Sequence, residues 1–377
     1  MTDLDNIDND LAASMDWGVS EIKKIQKAAR SGKPIVKPRY PMIVLRTPKG
    51  WTGPKKVHGE FCEGSFRSHQ VPLPEAKTSR EELHQLDEWL SSYNPQELFP
   101  DGRPNEKILS IIPQDHAKKL GQRKEAYAAY QPLLTPEWSQ FALPKGSSES
   151  CMKAVGRFLD DVVKEYVPFF ILTYGHVTDF CSNPKTFRIF SPDELVSNKL
   201  DAVFNDTGRN FQWDVASRAQ GGRVIEVLSE HTMQGMMQGY TLTGRTGLFP
   251  SYEAFLPIIH TMMVQYAKFA KMAGETSWRQ PCGSLNYIET STWTRQEHNG
   301  FSHQNPCFIG AILNLKPKFA RVYLPPDANC FLSTIAHCLR AKNYVNLMVG
   351  SKQPTPVWLS PEEADAVSRV KFVLNTF

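Results

Sequence analysis

The stretch Val224–Tyr240, VIEVLSEHTMQGMMQGY, contains two different local patterns. Its beginning, Val224–Leu228, is mainly β-branched and aliphatic, which is typical of a buried strand. The residues that follow, His231–Tyr240, are interpreted as a helix, and Glu230 lies between the two. A strand that leads directly into a helix is the first half of a βαβ unit, so this stretch predicts an α/β domain.

The alternation continues on both sides of this stretch. Apolar runs predict strands at Leu285–Ile288, Ala320–Tyr323 and Tyr344–Val349, and apolar stripes predict helices at Met152–Val163, Tyr252–Lys271 and Asp327–Arg340. This order predicts an α/β fold with a mostly parallel sheet flanked by helices.

Polar loops follow three of the predicted strands: Ser229–His231, Arg295–Gln304 and Ser351–Gln353. Ligands of parallel α/β sheets bind beyond the carboxyl ends of the strands. We therefore expect these three loops to converge on a binding site.

The amino-terminal part of the chain has a different character. Leu4–Ala29 carries apolar residues at three- and four-residue steps, which predicts an amphipathic helix, and Met42–Arg46 is an apolar run suited to a buried strand. Residues 72–145 are polar and rich in proline, with a helix expected at Arg80–Ser91. We interpret this part as a structured connection between domains.

The composition excludes several classes of protein. The 43 basic and 39 acidic residues are too evenly balanced for a dedicated binder of nucleic acid or of a membrane surface, although small anionic substrates need only a few local cations. The chain has no apolar run close to the ~20 residues that span a bilayer. Its seven cysteines include no CxxC pair, which favours reduced thiols and a cytoplasmic location.

Two short motifs have alternative interpretations. Gly239–Thr246, GYTLTGRT, is close to a nucleotide-binding phosphate loop, but a helix precedes it, so an ordinary glycine-rich turn is favoured. His298 and His303 are five residues apart with a glycine between them. They could form a polar pair at a substrate, bind a metal, or be structural histidines.

Single charged residues also allow two interpretations. Glu230 follows an apolar strand, where a partly desolvated carboxylate suits acid–base chemistry or hydrogen bonding, but it is equally suited to the first turn of a helix. Lys199, Arg279 and Lys352 could be directed at a ligand or could be solvated surface cations.

Several long segments together resemble the phosphoketolases, thiamine-diphosphate enzymes of sugar-phosphate metabolism. They are RTPKGWTGPK (46–55), EGSFRSHQVPLP (63–74), NPKTFRIFSPDELVSNKLDAVF (183–204), VLSEHTMQG (227–235), GLFPSYEAFLP (247–257), RQEHNGFSHQNP (295–306), RVYLPPDANC (321–330) and VNLMVGSKQP (345–354). The resemblance covers most of residues 1–363.

The resemblance implies a domain organisation and a cofactor. Residues 1–75 correspond to the carboxyl-terminal part of a diphosphate-binding domain, 76–146 to a connection, 147–357 to a pyrimidine-binding α/β domain, and 358–377 to a divergent tail. Thiamine diphosphate with Mg²⁺ is the implied cofactor, bound between two subunits of a homodimer. The family's magnesium motif and its last domain are not found in this sequence, so we expect a chain truncated at both ends and inactive alone.

The sequence departs from the family pattern in two ways. The family pattern runs almost directly from Val162–Lys164 into Asn183, whereas here residues 165–182, EYVPFFILTYGHVTDFCS, intervene, and we interpret them as a retained intron or as a genuine surface insertion. Met236 and Thr246 stand where the family pattern leads us to expect tryptophan and histidine.

The resemblance also implies a reaction. Xylulose 5-phosphate or fructose 6-phosphate would react with inorganic phosphate to give acetyl phosphate and an aldose phosphate, which is aldehyde-lyase chemistry. The alternative is an inactive fragment or a dimerising protein that is not an enzyme. Neither nucleic acid nor membrane is expected as a partner.

The implied roles fall on twelve residues. Glu230 would hydrogen-bond the aminopyrimidine of the cofactor, Tyr252 would line the cofactor pocket, and His69 and His303 would transfer protons. The other residues would contact the substrate: Gln296 and Asn299 as polar groups, Lys49 in the cleft, and Ser197, Lys199, Arg279, His298 and Lys352 around its phosphate.

Overall fold

The computed structural model describes residues 6–69, 71–115, 130, 132–164, 186–211, 222–277, 279–291 and 305–369. The chain divides into two compact units, residues 1–112 and 113–377. The boundaries expected at residues 75, 146 and 357 stay predictions.

The first unit is mainly helical. Its helices are α1 (Ile7–Arg30), α2 (Arg80–Ser91), α3 (Pro95–Leu98) and α4 (Glu106–Ile111), and its strands β1 (Lys56–Val57) and β2 (Glu60–Phe61) form an antiparallel pair. A small core of Val57, Cys62 and Leu73 packs against α2 through Leu86 and Trp89. The two helices predicted for this part of the chain are confirmed.

The strand predicted at Met42–Arg46 is wrong. These residues have no regular secondary structure, and Met42, Val44 and Leu45 are mostly exposed. A strand needs a neighbour for its backbone donors and acceptors, and none of the described strands pairs with this run. An apolar composition alone therefore did not make it part of a sheet.

The second unit is built on a seven-stranded sheet. Its strands are β4 (Phe187–Ser191), β5 (Arg209–Phe211), β6 (Val224–Glu226), β7 (Thr246–Tyr252), β8 (Leu285–Thr290), β9 (Ala320–Tyr323) and β10 (Val345–Gly350). The order is β5-β6-β4-β7-β8-β10-β9, and every neighbouring pair is parallel. The predicted α/β class with a mostly parallel sheet is confirmed.

Helices cover both faces of this sheet. They are α5 (Cys151–Val163), α6 (Glu230–Leu242), α7 (His260–Gly274), α8 (Cys307–Leu313), α9 (Ala328–Arg340) and α10 (Pro361–Arg369). On one face, Ile288 packs with Phe158 of α5 and Phe331 of α9. On the other face, the adjacent Tyr287 packs with Met237 of α6 and Phe308 of α8. Successive strand residues point to opposite faces, so both faces of the sheet bury an apolar layer.

The sequence predicts most of these helices and strands, but it does not predict strand β7, which follows α6. Tyr252 was expected to begin a helix. It ends strand β7 instead, and α7 begins only at His260, after a 3-10 turn at Leu256–Ile259. The glycine-rich Gly239–Thr246 is a turn from helix to strand, in which Gly244 has φ +83°. This order is the opposite of the strand–loop–helix that a phosphate loop requires.

The start of the predicted divergent tail belongs to the folded unit. Helix α10 contains the fully buried Ala364, and strand β11 (Thr355–Pro356) pairs antiparallel with β3 (Ser148–Glu149) just before it. Among the described helices, none combines the length and apolar character that crossing a membrane requires.

Candidate functional site

Five neighbouring strands of the second unit end at one edge of the sheet. Their last residues are Ser191, Glu226, Tyr252, Thr290 and Gly350. Because all the pairs are parallel, the segments that follow these strands meet at the same edge. Ser197, Lys199, Glu230, Tyr252 and Lys352, which the sequence predicts as site residues, all lie in these segments or at a strand end.

Lys352 and Tyr252 are in direct contact. The Nζ atom of Lys352 lies 4.7 Å from the centre of the Tyr252 ring, and both side chains are buried. Lys352 is placed by Ser351, whose carbonyl oxygen accepts from Ser150 Oγ at 3.0 Å at the start of α5. A cation over an aromatic ring in a water-poor site is an electrostatically favourable pair, and it forms a positively charged corner at this edge.

The turn after β4 brings Ser197 and Lys199 to the same edge. Glu226, at the end of the adjacent β6, accepts a hydrogen bond from Leu195 N at 3.0 Å and forms an ion pair with Arg209 at 3.3 Å. Lys199 is half-buried, and it has no ion-pair partner among the described residues.

Glu230 is the first residue of α6. The Ser229 hydroxyl caps this helix by accepting from Thr232 N at 3.3 Å, and the Glu230 side chain is partly exposed rather than buried in the domain. A carboxylate in the first turn of a helix is electrostatically favourable, and α6 begins in the segment that follows β6 at the carboxyl edge.

Four polar residues that the sequence interpretation missed lie deeper at this edge. Glu253 is buried and accepts from the Ser291 hydroxyl and from Asn305 N, the latter at 2.9 Å. Glu289 on β8 is directly opposite Ser251 on β7, and both side chains are fully buried. Neither Glu289 oxygen nor the Ser251 hydroxyl has a hydrogen-bond partner in the part of the chain that the structure describes.

The environment of Glu289 changes its acidity. Burial, with a smaller contribution from the negative charge of Glu253, raises the pKa of Glu289 to about 8. This carboxyl group therefore carries its proton at neutral pH. A glutamate directly after the apolar pair Tyr287–Ile288, near the end of a predicted strand, is the sequence signal that could have identified it.

Arg279 does not join this site. It precedes β8, so it lies at the amino edge of the sheet, where its guanidinium stacks on Phe269 with a distance of 4.7 Å to the ring centre. It lines a small cavity of about 90 Å³ together with Tyr266, Cys282 and Tyr344. Within this chain, β8 separates the edge that carries Arg279 from the edge that carries Lys352, and the expectation that the two share a phosphate stays a prediction.

The two residues that depart from the family pattern lie in different parts of the second unit. Thr246 begins β7 at the amino edge and is fully buried. Met236 is half-exposed on α6.

The first unit brings together two other predicted site residues. Lys49 Nζ is 3.1 Å from His69 Nδ1, and because an ammonium can only donate, the ring nitrogen accepts. The turn that carries Lys49 approaches Ser68 very closely at Gly50, where a Cβ atom would lie 2.5 Å from Ser68 Cβ. A glycine with φ +73° at this position makes the approach possible.

The remaining predicted site residues, Gln296, His298, Asn299 and His303, lie outside the described residues, as does the insertion at 165–182. No group of three His, Cys, Asp or Glu side chains within the described ranges is arranged to hold a metal ion.

Comparisons with known proteins agree on one family. Residues 176–341 match the model for D-xylulose 5-phosphate/D-fructose 6-phosphate phosphoketolase, and residues 1–131 match the model for the amino-terminal domain of the same family. A probable phosphoketolase of Schizosaccharomyces pombe is 50% identical over 94% of this chain and 41% of its own length. One from Nocardia farcinica is 44% identical over 94% of this chain and 42% of its own length.

The comparison with solved structures finds transketolases at low similarity. A transketolase from Leishmania mexicana aligns with 87% of this chain and 44% of its own chain, at 15% identity and a TM-score of 0.44. The chain spans about two fifths of the length of the curated relatives it matches. With two models of one family matching separate parts of it, and relatives at up to 50% identity, the chain belongs to the phosphoketolase family.

Proposed function

We propose that the protein is a phosphoketolase, an aldehyde-lyase that cleaves xylulose 5-phosphate or fructose 6-phosphate with inorganic phosphate and produces acetyl phosphate and an aldose phosphate. One observation carries this proposal. The carboxyl edge of the sheet gathers a buried cation over an aromatic ring, a second cation in the turn after β4, and a helix-terminal carboxylate. Cations together with hydroxyl groups are what a sugar phosphate requires.

Thiamine diphosphate is the cofactor of this proposal, and the residues at the edge suit its aminopyrimidine. When bound, it supplies the nucleophilic carbon that a carbon–carbon cleavage needs. Glu230 would hold a ring nitrogen of the aminopyrimidine by a hydrogen bond, and the Tyr252 ring would cover the pocket. Mg²⁺ would be bound together with the cofactor's diphosphate.

The chain's other residues would act on the substrate. Ser197, Lys199 and Lys352 would bind its phosphate, and Gln296, His298 and Asn299 would bind its polar groups. His69 and His303 would transfer protons, since an imidazole can both accept and donate near neutral pH. Lys49, which is hydrogen-bonded to His69 Nδ1, would leave Nε2 of that ring as the proton-bearing nitrogen. A homodimer and a cytoplasmic location belong to the same proposal.

A hybrid protein tests this function. The chain replaces the matching segment of the Schizosaccharomyces pombe relative, and acetyl phosphate is measured as its hydroxamate with each ketose phosphate, thiamine diphosphate, Mg²⁺ and inorganic phosphate. We expect acetyl phosphate to form only when inorganic phosphate is present. A folded hybrid without this activity would support the alternative, an inactive or purely dimerising protein.

In the same hybrid, we expect Glu230→Gln to lower kcat by about 100-fold, because a positioned acid–base group contributes on that order. Glu275→Gln is the matched control, since Glu275 is exposed at the end of α7 and forms an ion pair with Lys271 at 3.9 Å. Equal activity of the two variants would contradict the role of Glu230.

We expect the 377-residue chain without a partner protein to form no acetyl phosphate, because the glycine-aspartate-glycine magnesium motif implied by the family resemblance is not found in its sequence. Turnover by the purified chain under the same assay conditions would refute this expectation.

A further inference from the structure

The turn after β4 has an unusual backbone conformation. Asn198 N and Leu200 N both donate to the carbonyl oxygen of Leu195, each at 3.2 Å, and Lys199 N donates to Val196 O at 3.0 Å. Lys199 has φ +60°, in the left-handed region that residues with a Cβ atom rarely adopt. Such a conformation persists only where the surroundings enforce it, and this is common at functional sites.

The Asn198 side chain stabilises this backbone conformation from inside the turn. It is fully buried, and its Nδ2 donates to Asp193 Oδ2 at 3.3 Å and to Glu194 O at 3.2 Å. Both of these oxygens can only accept, so Nδ2 is identified as the nitrogen of the amide. Its Oδ1 is therefore the group that accepts from Thr290 Oγ1, at 2.6 Å.

Thr290 connects the turn to the opposite side of the site. It is the last residue of β8 and is fully buried. In the register of the sheet, Thr290 lies between Tyr252 of β7 and Gly350 of β10. Lys352 follows Gly350 by two residues. The hydrogen bond between Asn198 and Thr290 thus joins the turn after β4 to the end of β8. It spans the end of β7, which lies between them and carries Tyr252, the partner of Lys352.

We propose that Asn198 and Thr290 are positioning residues whose hydrogen bond holds the Ser197–Lys199 turn beside Lys352, so that both cations face one substrate phosphate. The inference rests on the proposed function, because the phosphate is that of the ketose. Neither residue touches the phosphate itself. Their effect is to fix the direction of the Lys199 side chain before the substrate binds, which lowers the entropy lost on binding.

The test removes only the Thr290 hydroxyl. In the hybrid protein, Thr290→Val is expected to raise the KM for xylulose 5-phosphate by about tenfold, the effect of one lost hydrogen bond, with kcat and the affinity for thiamine diphosphate unchanged. Thr290→Ser keeps the hydroxyl and should restore the KM. The control is Thr334→Val, since Thr334 is a largely buried threonine whose hydroxyl donates only within α9, to Cys330 O at 2.7 Å.

A second measurement does not depend on activity. In the 377-residue chain, the amide hydrogens of Asn198, Lys199 and Leu200 should exchange faster in Thr290→Val than in Thr334→Val. A hybrid that is inactive before substitution overturns the proposed function, and amide exchange then decides by itself whether Thr290 holds the turn. An unchanged KM in an active hybrid, or equal exchange in the two variants, overturns the positioning role.

Discussion

The Glu289→Gln variant is expected to lose less stability than the parent chain as the pH rises from about 4.5 to about 8, by the several kcal/mol that the Glu289 carboxyl contributes. The Glu289 carboxyl is fully buried, and among the described residues nothing hydrogen-bonds either of its oxygens. Burial, and then the charge of Glu253, raise its pKa from 4.5 to about 8 in the folded chain.

The sign of the effect follows from proton binding. Between these two pKa values, the unfolded chain releases the proton of Glu289 while the folded chain keeps it. The folded state therefore binds more protons, and the free energy of unfolding falls as the pH rises. Each tenfold difference in proton affinity corresponds to about 1.4 kcal/mol. Glutamine does not titrate, so the variant lacks this contribution at every pH.

Urea unfolding in buffers that span this pH range measures the difference. Glu275→Gln is the control, since Glu275 is exposed and should follow the pH dependence of the parent chain. If Glu289→Gln and the parent chain lose stability in parallel, Glu289 is not protonated in the folded state.

The second large effect is expected for Asp327→Ala, which should lower the free energy of unfolding by about 3–5 kcal/mol. Asp327 is fully buried and accepts three backbone hydrogen bonds. Its Oδ1 caps α9 by accepting from Cys330 N at 2.8 Å, and its Oδ2 accepts from Trp358 N at 2.8 Å and from Leu359 N at 2.9 Å. Alanine would leave all three donors without an acceptor in a water-poor site.

Two variants make this expectation specific. Ser229→Ala removes a cap at the start of α6 that accepts from one backbone N–H at 3.3 Å and also bonds the exposed Thr232 hydroxyl, and it should cost only about 1 kcal/mol. Asp327→Asn keeps one acceptor oxygen and should fall between the two alanine variants. Urea unfolding at one pH compares all three, and equal losses for Asp327→Ala and Ser229→Ala would contradict the role of Asp327 in joining α9 to the segment that leads into α10.

The helices and strands that the sequence predicts correctly are those whose formation depends on residues close together in the chain. Strand β9 was placed at its observed bounds, and α9 begins one residue after its predicted start because Asp327 is the cap. An apolar run bounded by turn residues predicts a strand, and an apolar stripe after a capping side chain predicts a helix. Both patterns can be recognised from about ten consecutive residues. Glu230 was located for the same reason, since it lies between two such patterns.

Strand β7 shows where prediction from local sequence patterns fails. Thr246–Tyr252, TGLFPSY, contains glycine, proline and serine, which are poor strand formers, yet all seven residues are buried. Gly247 is required there because a Cβ atom would lie 2.8 Å from Met237 Cγ of α6. Its neighbours in the sheet, β4 and β8, make this segment a strand, and they are distant in the sequence.

The amino-acid sequence alone specified the α/β class, the phosphoketolase family and five of the residues at the carboxyl edge, namely Ser197, Lys199, Glu230, Tyr252 and Lys352. The folded chain was needed to assign Arg279 to the opposite edge, to place Lys352 over Tyr252, and to show the bond between Asn198 and Thr290, which are 92 residues apart. Periodicity and capping depend on near neighbours along the chain, whereas these contacts depend on the order of the strands, which local patterns do not encode.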